Sequence, residues 1–96
     1  MTPETLIKTK REEILRIAPA HGARHVRLFG SAARGQATDT SDIDLLVDLE
    51  PGRSLLDHAA MIVELERLLG CRVDVVTERG LRPRIRDTIL RHAISL

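Results

Sequence analysis

Ninety-six residues make one small domain, 1–96, with room for a single modest core, and 43% apolar with 30% charged residues describe a soluble globular chain rather than a disordered one. A net charge of +1, the absence of Tyr and Trp and the single Phe29 exclude a general nucleic-acid binder and the aromatic platforms that single strands stack on. No stretch approaches the roughly 20 apolar residues of a membrane span, the lone Cys71 forms no internal disulfide, and the N-terminus, with Glu4, Lys8 and Lys10, lacks the apolar core of a signal peptide, so a cytoplasmic protein is expected.

Thr2-Pro3-Glu4 reads as a helix start, with Thr2 as cap and Pro3 at the first position. That helix is expected to run to about Ala18, burying Ile7, Ile14, Leu15 and Ala18, before Pro19 and Gly22 stop it. Arg24 to Phe29 alternates imperfectly and reads as a short strand; Ala32 to Gly35 is a brief helix or turn, and Gln36 to Ser41 a polar loop. Asp42 to Leu49 is a second strand whose Leu45-Leu46-Val47 run suggests burial on both faces. After a turn at Pro51-Gly52, Leu55 to Leu69 has the strongest helical pattern, with Leu55, Ala59, Ile62, Leu65 and Leu69 on one side and Gly70 as terminator. Arg72 to Thr77 alternates strictly around Asp74, and a last helix is expected from Pro83 to Ile94, with Leu81, Ile85, Ile89 and Ala93 at four-residue spacing. The order predicts an α/β (α+β) fold, a small mixed sheet flanked by helices.

The chemistry concentrates in Gly30-Ser31 and, ten residues on, Asp42-Ile43-Asp44. Gly30 bends the chain at the end of a strand, and Ser31 is placed to cap the helix that begins there, where unpaired N–H groups hold phosphates. Asp42 and Asp44, two apart on a strand, share a face about 7 Å apart at the backbone. Carboxylates so placed repel one another unless a cation lies between them, and a hard divalent ion suits such oxygen ligands. A turn explanation is available for Asp42, within Thr38-Asp39-Thr40-Ser41-Asp42, but Asp44 stands between Ile43 and Leu45, where a lone charge is rarely unpartnered. Asp74, between Val73 and Val75, adds a third carboxylate if its strand neighbours that of Asp44. Arg34 lies one turn beyond Ser31, within reach of a phosphate, and Asp48 falls outside the site at about 13 Å beyond Asp44. His21, His25, His58 and His92 show no paired metal-ligand spacing and are assigned no role; Cys71 is expected to be an idle thiol.

The pattern Gly30-Ser31, ten residues, Asp42-Ile43-Asp44, with Asp74 beyond, resembles the signature of the polymerase-beta-type nucleotidyltransferase superfamily, and the short chain with its Arg-rich end resembles the minimal MNT-domain antitoxins. The resemblance implies a mixed sheet flanked by helices, ATP as substrate with Mg²⁺ in a two-metal site, and transfer of AMP to an acceptor. It implies that Gly30 and Ser31 meet the β- and γ-phosphates, that Asp42 and Asp44 hold both metals, and that Asp74 completes the metal site and helps deprotonate the acceptor hydroxyl. It implies a HEPN-domain ribonuclease toxin as partner, neutralised by adenylylation of a tyrosine. Two other readings stay open: an antitoxin that acts by binding alone, and transfer to a small molecule such as an aminoglycoside. With no aromatic side chain expected to be free for stacking on a base, nucleotide selection should be loose or completed by another chain. The apolar width of the Leu55–Leu69 helix, including Leu56, Ala60 and Val63, exceeds what one small sheet covers, which suggests an interface.

Overall fold

The computed structural model describes residues 2–38 and 41–96. Asp39 and Thr40, part of the expected polar loop, lie outside the described residues. The opening helix forms in two pieces, α1 (Pro3–Thr9) and α2 (Arg11–Ala20), joined at Lys10. Thr2 caps α1 through its side chain, as its sequence position suggests. Pro19 lies inside the last turn of α2, where it withholds one backbone N–H without ending the helix, which reaches Ala20 rather than stopping at Ala18.

Strand β1 (Ala23–Phe29) is followed by a four-residue helix, α3 (Gly30–Ala33), then β2 (Ile43–Leu49), α4 (Leu55–Leu69) and β3 (Val73–Thr77). A 3-10 turn at Glu78–Gly80 leads to α5 (Pro83–His92) and a short β4 (Ile94–Ser95). The four strands lie in the order β3-β2-β1-β4, with β2 and β3 parallel and β1 antiparallel to both of its neighbours. The mixed sheet flanked by helices agrees with the fold class the sequence predicts.

Two faces of the sheet have different fates. Ile43, Leu45, Val47, Val73 and Val75 point to one side, where Ile7, Ile14, Ala18, Met61, Leu65 and Leu69 from α1, α2 and α4 close a single core. Asp44, Leu46 and Asp48 alternate onto the other side, as period-two geometry requires. The β1 sequence alternates imperfectly because β1 carries a bulge: Arg24 pairs with Asp48 but Arg27 with Leu46, and His25 takes a left-handed φ of 51°. The bulge turns Arg27 onto the second face, where it is 5% exposed. There it donates to Glu78 Oε1 at 2.7 Å, to Asp48 Oδ1 at 3.0 Å and to the His25 carbonyl at 3.1 Å. Arg27→Met keeps the apolar stem and strips these charge-assisted bonds, so urea denaturation is expected to show roughly 2–3 kcal/mol of lost stability.

Helix α4 leaves part of its apolar surface uncovered, as its width in the sequence suggests. Its capping box (Ser54 with Asp57) and Gly70 terminus, at φ 69°, bound the helix as read, but its first turn does not reach the core. Met61, Leu65 and Leu69 are buried, whereas Ala59 is exposed and Leu55 and Leu56 are 84% and 81% exposed. The closing segment differs too. The helix stops at His92, because Ala93 turns extended (ψ 142°) and Ile94–Ser95 pair with Arg27 and Leu28 on the free edge of β1. An edge of unpaired backbone groups is satisfied by the chain's own last residues. Arg11 donates to the Leu96 carbonyl and ties that end to α2.

Helix α5 crosses the second face. The connection β2–α4–β3 places α4 on the core side; β3–α5–β4 also joins parallel strands but runs back across the sheet in the opposite sense. A right-handed crossover in that sense puts its helix on the other face. No residue of α5 is buried, and Ile85 is 47% exposed, so the four-residue stripe of Ile85 and Ile89 lies outside the core. Among the described residues no helix is long and apolar enough to cross a membrane.

Candidate active site

The carboxylates stand on the open face, at the end of the sheet where β1 finishes and β2 and β3 begin. Asp44 pairs with Asp74 on the parallel neighbour and with Phe29 on the antiparallel one. Parallel neighbours lie about 4.8 Å apart, so the Asp44 and Asp74 side chains rise together from adjacent strands. Asp42 lies one residue before β2 begins, exposed, two positions from Asp44 and therefore on its face. Ahead of it, Thr38 N donates to Ser41 Oγ and Ser41 N to the Thr38 carbonyl, and neither bond involves Asp42.

Among the described residues none of the three carboxylates forms a side-chain hydrogen bond or ion pair. Burial pushes the Asp44 pKa above the ordinary carboxylate value, and the charges of Asp74 and Asp42 push it further. Among the described residues no three His, Cys, Asp or Glu side chains are gathered into a metal-holding group. The three carboxylates are unpaired hard oxygens that repel one another, donors of the type that hold a divalent cation when substrate phosphates and water supply the rest of its shell. Of the three, Asp44 is the most enclosed, and its ionisation is opposed from both sides.

A carboxyl group whose pKa is raised on folding favours the folded state at low pH. That advantage fades as pH rises through the ordinary carboxylate range and beyond, because the folded state must then carry the unfavourable charge. Asp44→Asn removes the charge. Without added metal the variant is therefore expected to melt above the parent at pH 7, with the gap closing below about pH 4. Melting curves across pH in chelator provide the check, and a gap that persists at low pH refutes it.

Gly30 follows β1 directly as the first residue of α3, with φ +73°, a conformation that side chains rarely adopt. A Cβ placed there stands 2.3 Å from Asp44 Oδ2, so the absence of a side chain lets the backbone bend lie against the carboxylate. Ser31 does not cap α3: the capping position falls on Phe29, with no side-chain bond, and Ser31 sits in the first turn. Its hydroxyl has no hydrogen-bond partner among the described residues, which leaves it free for a ligand beside the open N–H groups of this turn. At four residues, α3 adds little dipole, so any anion held here rests on individual donors. Arg34 is exposed one turn further on, on the rim of a cavity of about 290 Å³.

That cavity opens between the end of β1 and α5. Phe29, Gly30 and Arg34 form one wall; Ile85, Thr88, Ile89 and His92 form the other. Sequence reasoning missed this second wall. Its signal was Thr88 and His92 at four-residue spacing on the apolar side of α5, a pattern that also fits a solvated edge. Phe29, dismissed as unavailable for stacking, lines a cavity next to the acidic site. Asp48 is engaged by Arg27 and His25 and stays apart from the trio, as its distance along the strand suggests. Burial, then Asp42 and Glu66, raises the Cys71 thiol pKa, consistent with an idle thiol.

Residues 7–96 match the family described as a nucleotidyltransferase domain. The protein adenylyltransferase MntA of Thermococcus cleftensis is 42% identical over 91 residues, spanning 86% of this chain and 92% of that protein. A solved structure, provisionally described as a minimal nucleotidyltransferase, superposes with a TM-score of 0.87 at 54% identity, covering 97% of this chain and 95% of its own. A toxin–antitoxin complex solved with AMP-PNP superposes with a TM-score of 0.74 over 88% of this chain and 69% of that one; at 20% identity the likeness is one of fold. The match runs through both strands that bear the paired carboxylates and through the bend at Gly30, and the chain belongs to the nucleotidyltransferase domain family and is an enzyme of that class.

Proposed function

We propose that this chain is a Mg²⁺-dependent adenylyltransferase that moves AMP from ATP to a hydroxyl of a partner toxin and so silences it. The observation that carries the reading is the alignment of Asp44 with Asp74 on one side and with Phe29, next to Gly30, on the other. The reading gives the chain's residues distinct tasks. Gly30 and Ser31 hold the β- and γ-phosphates through backbone N–H groups and the free hydroxyl. Asp42 and Asp44 supply the oxygen ligands for Mg²⁺, which when bound neutralises phosphate charge and favours attack. Asp74, exposed beside Asp44, completes the ligand set and takes the acceptor's proton. The acceptor oxygen forms a bond to the α-phosphorus, the bond from that phosphorus to the bridging oxygen breaks, and pyrophosphate leaves with the electron pair.

Several facts support a protein acceptor. A relative at 42% identity is named a protein adenylyltransferase, and the fold recurs in a toxin–antitoxin complex. The exposed apolar end of α4, at Leu55, Leu56 and Val63, offers a contact surface. The resemblance in sequence points to a HEPN-domain toxin with a tyrosine as acceptor, and to the cytoplasm as the place of action. In the deciding experiment, the purified chain is mixed with the product of the neighbouring gene, Mg²⁺ and ATP radiolabelled at the α-phosphate. Label is expected on the neighbour's protein. A stable, silenced complex without label would instead make the chain an antitoxin that acts by contact, and label on an aminoglycoside without any partner would move the acceptor to small molecules.

A further inference from the structure

Helix α5 is held over the sheet rather than laid onto it. At one end Arg86 reaches Glu78 Oε2 at 3.7 Å, while the same carboxylate accepts from buried Arg27 at 2.7 Å. At the other end Ile94 and Ser95 are paired on β1. Between these two fixed points the apolar residues Ile85 and Ile89 face a gap of about 290 Å³ instead of a core. A helix joined to the sheet by β4 and packed over an apolar gap leaves room for a guest.

We propose that this gap seats the nucleoside of the substrate, with Phe29 stacking on the base and Thr88 and His92 reading its polar edge. The inference rests on the nucleotidyl-transfer reading above and adds to it the residues that choose the nucleotide. Its volume of about 290 Å³ lies just under the ~300–1,000 Å³ usual for ligand cavities, the scale of a single nucleoside. The lining is that of a small-molecule site: apolar walls from Phe29, Ile85 and Ile89, with a hydroxyl and an imidazole as the polar contacts. No lining residue is acidic, and Arg34 on the rim offers a cation, so a phosphate chain can lead out of the cavity without repulsion. Gly30 belongs both to the cavity wall and to the bend against Asp44, so a nucleotide whose phosphates rest on Gly30 and Ser31 meets the cavity at once. The single aromatic residue of the chain thus stands where a base needs one.

Calorimetry on the full chain with Mg²⁺ separates the nucleoside contribution from the phosphate contribution, with ATP and inorganic tripolyphosphate as the two probes. The parent is expected to bind ATP roughly ten- to a hundredfold more tightly than tripolyphosphate, the scale of one stacked base. Phe29→Leu should remove most of that excess and leave tripolyphosphate binding unchanged. Thr88→Leu, on an exposed helical position that the fold does not depend on, should narrow the preference for ATP over CTP. If the parent binds both probes equally, or if both variants keep the ATP excess and the ATP preference, the nucleoside seat is refuted while nucleotidyl transfer stands. If the parent binds neither probe, the transfer reading itself fails and the inference falls with it.

Discussion

Replacing Asp42 and Asp44 together by alanine is expected to lower AMP transfer by about a thousandfold or more while the protein stays folded. A thousandfold corresponds to about 4 kcal/mol of transition-state stabilisation, within the several kcal/mol that a metal acting on a phosphoryl oxygen supplies. The two side chains make no hydrogen bond or ion pair among the described residues, so their removal breaks no structural contact. Asp44 is also ionised against burial and against the charges of Asp74 and Asp42. Deleting two members of that cluster should therefore leave the melting temperature unchanged or raise it. Transfer of α-phosphate label together with a thermal melt on the same preparation tests both halves. Normal transfer by a folded double variant would refute the assignment of the acidic pair, and an unfolded variant would refute the claim that the pair is electrostatically unfavourable.

The acidic site was legible in the sequence because strand periodicity is short and strict. Asp42 and Asp44 at a spacing of two must share a face, and Asp74 between two valines had to leave the core side of its own strand. That Asp74 would stand directly beside Asp44 required the parallel register of β2 and β3, which no local pattern contains. The bulge at His25 was legible only as a fault in alternation, since the compensating partner is Asp48 on another strand. Helix α4 shows a different limit. Its apolar positions from Leu55 to Leu69 form a continuous pattern, but Met61, Leu65 and Leu69 are buried while Leu55 and Leu56 stay exposed. Helix α5 shows the same limit from the other side. Ile85 and Ile89 fit the pattern of a core-facing stripe, yet the helix is suspended across the open face and that stripe faces a cavity. Hydrophobic periodicity reports which side of an element is apolar; it does not report whether protein or ligand fills the space beyond.

Gly30→Ala is expected to damage transfer far more than stability, and the comparison with Gly52→Ala shows why. Both glycines are left-handed, with φ of +73° and +86°, so alanine at either position carries a backbone cost of about 1–2 kcal/mol. At Gly52 a new Cβ meets nothing within 4 Å, so the cost ends there. At Gly30 it stands 2.3 Å from Asp44 Oδ2, closer than any real contact, and the carboxylate or the bend must move. Either movement separates the phosphate-facing turn from the acidic group that has to act on the same substrate. A displacement of about 1 Å is enough to cost a hundredfold in rate when reacting groups must be held in line. The two variants should thus lose similar amounts of stability in urea, while only Gly30→Ala loses about a hundredfold or more of AMP transfer. Equal activities in the two variants would show that the close approach of Gly30 to Asp44 serves the fold alone. A selective loss would locate the functional unit in that single contact, where one backbone bend and one carboxylate share a space that admits no methyl group.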